Sequence, residues 1–177
     1  MFNLAFRMEI VAIVPGVLYA IKWPESGNHC LDEMAERLTD VEYLYEYFEK
    51  NEDKLSFYGD TIDNAVRKTN AEADELIQEL FNLANAESVS TDDLDDIFMP
   101  LHKEEAFSHP RFYTDSKAKG YKAPWVRLYA VKCDPNHYVI TGYGIKLVRK
   151  MQDDQHLLSE LKKLERATDF LKENGIL

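Results

Sequence analysis

Cysteine is nearly missing from this chain: its 177 residues include only Cys30 and Cys133, far apart. That excludes the disulfide framework of small secreted scaffolds and makes a reducing cytoplasm the expected home. Metal-ligand spacings are missing too. His29 and Cys30 are adjacent, while His102, His109, His137 and His156 are scattered, with no CxxC or HxxxH pair. The Gly-x-x-x-x-Gly-Lys-Ser/Thr order of a phosphate loop is absent, as is any local signature of a serine nucleophile. No metal or other cofactor is therefore expected. Long hydrophobic runs are lacking as well. The N-terminal MFNLAFRMEIVAIVPG is broken by Arg7 and Glu9, has no basic segment before it and no small-residue cleavage site after it. It is too short and too charged to span a bilayer, so a buried strand and no membrane partner are expected. A start at Met8 instead of Met1 stays open. Internal repeats and low-complexity tracts are absent.

What the chain does have is charge and apolar surface. A composition 45% hydrophobic and 30% charged suits one globular domain spanning 1–177. The net charge of −11 opposes nucleic-acid binding at first sight. Its distribution is another matter. Residues 1–109 hold 8 Lys and Arg against 24 Asp and Glu, whereas residues 110–177 hold 13 against 8. Between 110 and 152, 9 basic residues face only Asp115 and Asp134. Such asymmetry suits either charge compensation within one fold or an anion-binding face.

The basic part centres on Trp125–Lys150, WVRLYAVKCDPNHYVITGYGIKLVRK. Residues 126–133 are rich in β-branched, aromatic and aliphatic side chains, and 138–141 resume that pattern. Asp134-Pro135-Asn136-His137 between them supplies turn chemistry. Gly142 and Gly144, flanking Tyr143, point to a bulge or a close backbone approach. Residues 145–150 are expected to continue extended. Alternation puts Trp125, Arg127, Tyr129 and Val131 on one face, a mixed basic and aromatic surface suited to stacking on unpaired bases. Val126, Leu128, Ala130 and Lys132 form the other, mostly aliphatic face.

Around this hairpin, residues 17–23 are expected to form a central strand. The acidic segment 30–107 is expected to be helical. One helix covers 30–54, with Leu31, Met34, Leu38, Val41, Tyr45 and Phe48 as its stripe, and Tyr43, Tyr45 and Tyr47 at core and rim. Phe57-Tyr58-Gly59-Asp60 breaks the pattern, and Asp60 or Thr61 caps a second helix running to about Asn85. Ser90 to Asp93 suggests a cap for a single helical turn at 94–98. Its aspartates lack the glycine and terminal glutamate of an EF-hand, so they form a solvated edge. Residues 108–121 are expected to be a loop. A last helix covers 153–173 and is stopped by Gly175.

The order Arg127-Leu128-Tyr129, a short turn, an aliphatic strand, glycines followed by Lys146, and then a helix resembles the RelE/HigB toxins of the RelE/ParE superfamily. The resemblance covers roughly the last third of the chain, with a weaker fit of the N-terminal strand and helix. It implies an α+β fold, a small antiparallel or mixed β-sheet with helices packed on one face, here with an enlarged helical segment. An all-helical protein with a marginal hairpin is the alternative. The resemblance also implies a metal-independent endoribonuclease acting on mRNA, in many members on the ribosome, and held inactive by an antitoxin protein; the ParE branch targets gyrase instead. Arg127 matches the family's strand arginine and Lys146 its basic position after the glycines. Arg149 and Lys150 match in charge, and His156 is the nearest counterpart of a tyrosine or histidine near the last helix. The expected catalytic residues are thus Arg127, Lys146 and His156, with Trp125, Tyr129, Arg149 and Lys150 binding substrate. The long acidic segment departs from the family and opposes approach to ribosomal RNA. The other reading is a non-catalytic regulatory module on the same fold that recognises a protein partner.

Overall fold

A computed structural model describes residues 7–86, 94–101, 115–118 and 124–177. The chain opens with β1 (Glu9–Val14) and β2 (Leu18–Lys22), an antiparallel hairpin that turns at Gly16, where φ is +79°. Helices follow: α1 (Cys30–Thr39), α2 (Val41–Lys50), α3 (Glu52–Ser56), α4 (Ile62–Ala84) and the short α5 (Leu94–Ile97). Then come β3 (Phe98–Pro100), β4 (Asp115–Ala118), β5 (Val126–Asp134), β6 (His137–Ile145) and α6 (Gln155–Glu173). The six strands form one mixed sheet in the order β1-β2-β6-β5-β4-β3. Only the β2–β6 pairing is parallel. The α+β class and the mixed sheet expected from the sequence are present, and the all-helical alternative is excluded.

The β5–β6 hairpin turns at Pro135-Asn136, with Asn136 at φ 57°, a left-handed conformation that asparagine tolerates. Tyr129 pairs with Gly142 and Ala130 with Ile140, so Thr141 is an extra residue in β6, the bulge foreshadowed by the glycines. Across the bulge the two sheet faces diverge. The Tyr143 hydroxyl donates to Glu33 of α1 (3.3 Å). Gly142 and Gly144, on either side of it, face α6 instead. A Cβ on Gly142 would lie 1.7 Å from Glu160 Oε2, and one on Gly144 2.6 Å from Leu157 Cδ2. These glycines are what lets α6 lie against the strand. Helices therefore cover both faces, α1, α2 and α4 on one and α6 on the other, where the sequence placed them all on one. Strand alternation told which residues share a face, not which helix closes it.

Three further expectations change. The expected helix over 30–54 is three helices: Asp40 leaves the helical conformation and caps α2, its carboxylate accepting from the amides of Glu42 and Tyr43, and Asn51 leaves it between α2 and α3. The apolar spacing runs unbroken across that cap, so periodicity did not register it. The loop expected at 108–121 contains β4, held by pairing with β5 rather than by its own propensity. Strand β6 stops at Ile145, and the segment 146–150 leaves the sheet. The expected cap at Ser90–Asp93 lies outside the described residues.

The main core holds Leu18, Ile21, Trp23, Met34, Leu44, Phe48, Leu76 and Leu80 with Leu128 and Ile140, all buried. Tyr43, Tyr45 and Tyr47 are half-buried against its rim. On the α6 side Leu164, Ala167 and Leu171 join this core, and a smaller cluster of Tyr129, Met151 and Leu157 lies toward the start of that helix. No described helix is long and apolar enough to cross a membrane.

Candidate functional site

At the end of the sheet where β6 gives way to 146–150, two open depressions share a wall. The smaller, about 150 Å³, is lined by Lys117, Arg127, Tyr129, Lys146, Arg149 and Lys150, with Leu101, Met151, Gln152 and Leu161 completing it. Five cations and no described carboxylate border it. The larger, about 760 Å³, is lined by Lys54, Phe57, Tyr58, Pro124 and Leu147, among others, with Asp153 as its one acidic residue. Arg127, Lys146 and Arg149 line both.

Local structure explains how these side chains are held. Arg127 sits at the start of β5, and its Nη1 donates to the carbonyls of Pro124 (2.8 Å) and Val126 (2.9 Å). Burial lowers the guanidinium's proton affinity from its ordinary value, against the raising effect of Tyr129, Glu72 and Tyr58. Lys146 leaves the sheet directly after β6, its amide donating to the Trp125 carbonyl (2.7 Å). Among the described residues no carboxylate forms an ion pair with Arg127 or Arg149.

Tyr129 is 1% exposed, yet its hydroxyl has no hydrogen-bond partner and the residue lines the smaller depression. A buried, unmatched hydroxyl costs about 1–3 kcal/mol, and this one lies beneath the lining and is not open to the depression. Burial drives its phenol above the ordinary range, which keeps the proton on it. Among the described residues Glu160, packed on Gly142, is the other buried side chain with an unmatched oxygen, Oε2. Its Oε1 accepts from Lys163 (3.1 Å).

The structure thus gathers Arg127, Lys146, Arg149, Lys150 and Tyr129, and separates two residues from them. Trp125 is 1% exposed and cannot offer a ring to a base. It packs on Phe48 and Tyr58, donates from Nε1 to Thr69 Oγ1 (2.8 Å) and carries Lys68 over its ring at 3.9 Å. The alternation that placed it beside Arg127 does not reach it, because β5 begins at Val126. His156 is exposed at the start of α6 and leans over Gly144, the ladder partner of Arg127, without lining either depression. Lys117, Phe57 and Tyr58 were missed by the sequence reading. Only the two adjacent aromatics before Gly59 were a visible signal, read there merely as a helix break. Both cysteines are free thiols, pushed by burial to about 12 for Cys30 and about 11 for Cys133, and neither is poised as a nucleophile.

Among the described residues no group of three His, Cys, Asp or Glu is placed to hold a metal ion. The site lies at one end of the two central strands, β5 and β6, and combines concentrated positive charge with two exposed aromatics. Compared with protein-family models, curated proteins and solved structures, the chain matches none.

Proposed function

We propose that this protein is a RelE-like toxin, a metal-independent endoribonuclease that cuts mRNA and is neutralised by an antitoxin protein. The observation that carries the reading is the convergence of Arg127, Lys146, Arg149 and Lys150 on one small depression. RNA cleavage by transesterification needs little more. The 2′-hydroxyl attacks the adjacent phosphorus, the 5′-oxygen of the next nucleotide leaves, and a 2′,3′-cyclic phosphate remains. Extra negative charge develops on the phosphoryl oxygens, and fixed cations that meet it there lower the barrier. Arg127 and Lys146 are assigned that role, with Arg149 and Lys150 binding flanking phosphates. His156, exposed beside Gly144 but lining neither depression, is given no part in the step.

Expression from a tight promoter should arrest growth, and Lys146→Ala and Arg127→Lys should relieve the arrest while the proteins remain folded. Purified protein should cleave single-stranded RNA to cyclic-phosphate ends. Harmless expression of folded protein with no RNA cleavage would sink the enzyme and leave the binding module. That second reading draws on one observation, the 89% exposure of Phe57, since rings held in solvent are common anchors for protein partners.

A further inference from the structure

We infer that Phe57, backed by Tyr58, is the stacking platform for an unpaired RNA base whose adjoining phosphate sits in the basic depression; this rests on the RNA reading above. Phe57 is 89% and Tyr58 49% exposed. A lone exposed apolar side chain needs no explanation. Two adjacent rings lining a depression whose other walls are Arg127, Lys146 and Arg149 are a different matter. Aromatic faces beside a cationic track are what single-stranded nucleic acid requires, because every base has a π-face and every nucleotide a phosphate.

The segment that carries the rings is also held in place. They follow α3, whose Leu55 is buried, and the turn continues through hydrogen bonds from the Tyr58 amide to the Leu55 carbonyl (2.9 Å) and from Gly59 to Ser56 (3.1 Å). Lys54 ties the segment to the start of α6 through Asp154 (2.6 Å). The Tyr58 ring stands edge-on to Trp125, with centroids 5.6 Å apart at 90°. An element fixed before binding loses little freedom on binding. Because the same three cations line both depressions, a base lying against Phe57 and a phosphate in the smaller depression belong to one or adjoining nucleotides. Trp125, expected from the sequence to stack on bases, instead supports the ring behind the one that does.

The test uses a short single-stranded oligoribonucleotide, 2′-O-methylated to prevent cleavage, and a set in which one position at a time is abasic. Affinities are measured at two salt concentrations for wild type, Phe57→Ala, Phe57→Trp and Lys146→Ala. Phe57→Ala should weaken binding about tenfold, the effect of one lost stack, with its salt dependence unchanged, and Phe57→Trp should restore it. Lys146→Ala should weaken binding and flatten the salt dependence. One abasic position should cost wild type about as much as the Phe57→Ala change and cost that variant almost nothing more. If Phe57→Ala binds like wild type while Lys146→Ala is impaired, the platform is overturned, the RNA reading stands, and Phe57 is left to a protein partner. If the losses from Phe57→Ala and from every abasic position simply add, the ring does not stack and the inference fails. Undetectable wild-type binding at low salt removes the RNA reading and the platform together.

Discussion

On the side of the sheet covered by α4, the buried carboxylate of Glu72 accepts through Oε2 from the amides of Trp125 and Val126, both at 3.0 Å. On the side crossed by α6, the buried carboxylate of Glu160 presses Oε2 onto Gly142 with no partner at all. Burial raises the proton affinity of both against their ordinary values. One face is closed by large side chains with their polar groups matched. The other is closed by α6 lying close over two glycines, and it carries Tyr129 and Glu160, which among the described residues have buried side-chain atoms without a hydrogen-bond partner. The lesson is that the unmatched polar atoms found among the described residues lie where α6 crosses the strands, not where α4 does.

The largest expected effect tests the matched face. Trp125→Ala should cost about 3–5 kcal/mol, read from urea denaturation, because it removes the ring packed on Phe48 and Tyr58. A loss under about 1 kcal/mol would show that this face is not held by the tryptophan. Next, Glu72→Ala strands the amides of Trp125 and Val126 and should cost about 1–3 kcal/mol; an unchanged midpoint would mean water replaces the carboxylate. On the α6 face, Gly144→Val puts a side chain where Leu157 lies and should cost about 1–3 kcal/mol by overpacking. A neutral result would show that α6 can move away without loss.

Acid titration sharpens the comparison further. Burial alone would raise Asp95 and Asp154, but hydrogen bonds outweigh it and hold both below the ordinary range. For Asp95 these come from Tyr138 and Lys132, and for Asp154 from Lys54 and the Leu157 amide. A carboxyl lowered on folding contributes stability that is complete above its unfolded value, about 3.9, and is lost as pH falls through the lower folded value. Stability from these groups should therefore be level from pH 7 to 5 and fall below about pH 4. Asp95→Asn and Asp154→Asn should each flatten that fall, and acid curves superimposable on wild type would show that the pairs contribute nothing. The smallest effect belongs to Glu160. Glu160→Gln should change stability by less than about 1 kcal/mol, since one oxygen has no bond to lose and an amide oxygen can still accept from Lys163. A loss as large as that of Glu72→Ala would erase the difference between the faces.

Much of this architecture follows from local chemistry and was legible in the chain alone. Turn residues at 134–137, β-branched runs on both sides and the glycines at 142 and 144 specify the hairpin and its bulge, because backbone conformation and side-chain period are local properties. Thr61 as the cap of α4 and the apolar stripes of α4 and α6 are local in the same sense. The clustering of Arg127, Lys146, Arg149 and Lys150 was legible because they flank one hairpin whose register brings them together. What only the tertiary structure decided is exposure. Trp125 alternates with Arg127 in the sequence and Phe57 stands beside a second ring before a glycine, yet Trp125 is the buried ring and Phe57 the one in solvent. Trp125 meets Phe48 and Thr69 because α2 and α4 fold over the start of β5. Phe57 reaches the basic depression because Lys54, three residues before it, pairs with Asp154 a hundred residues later. Burial is set by the sum of such distant contacts, and a sequence read along its own length contains no term for them.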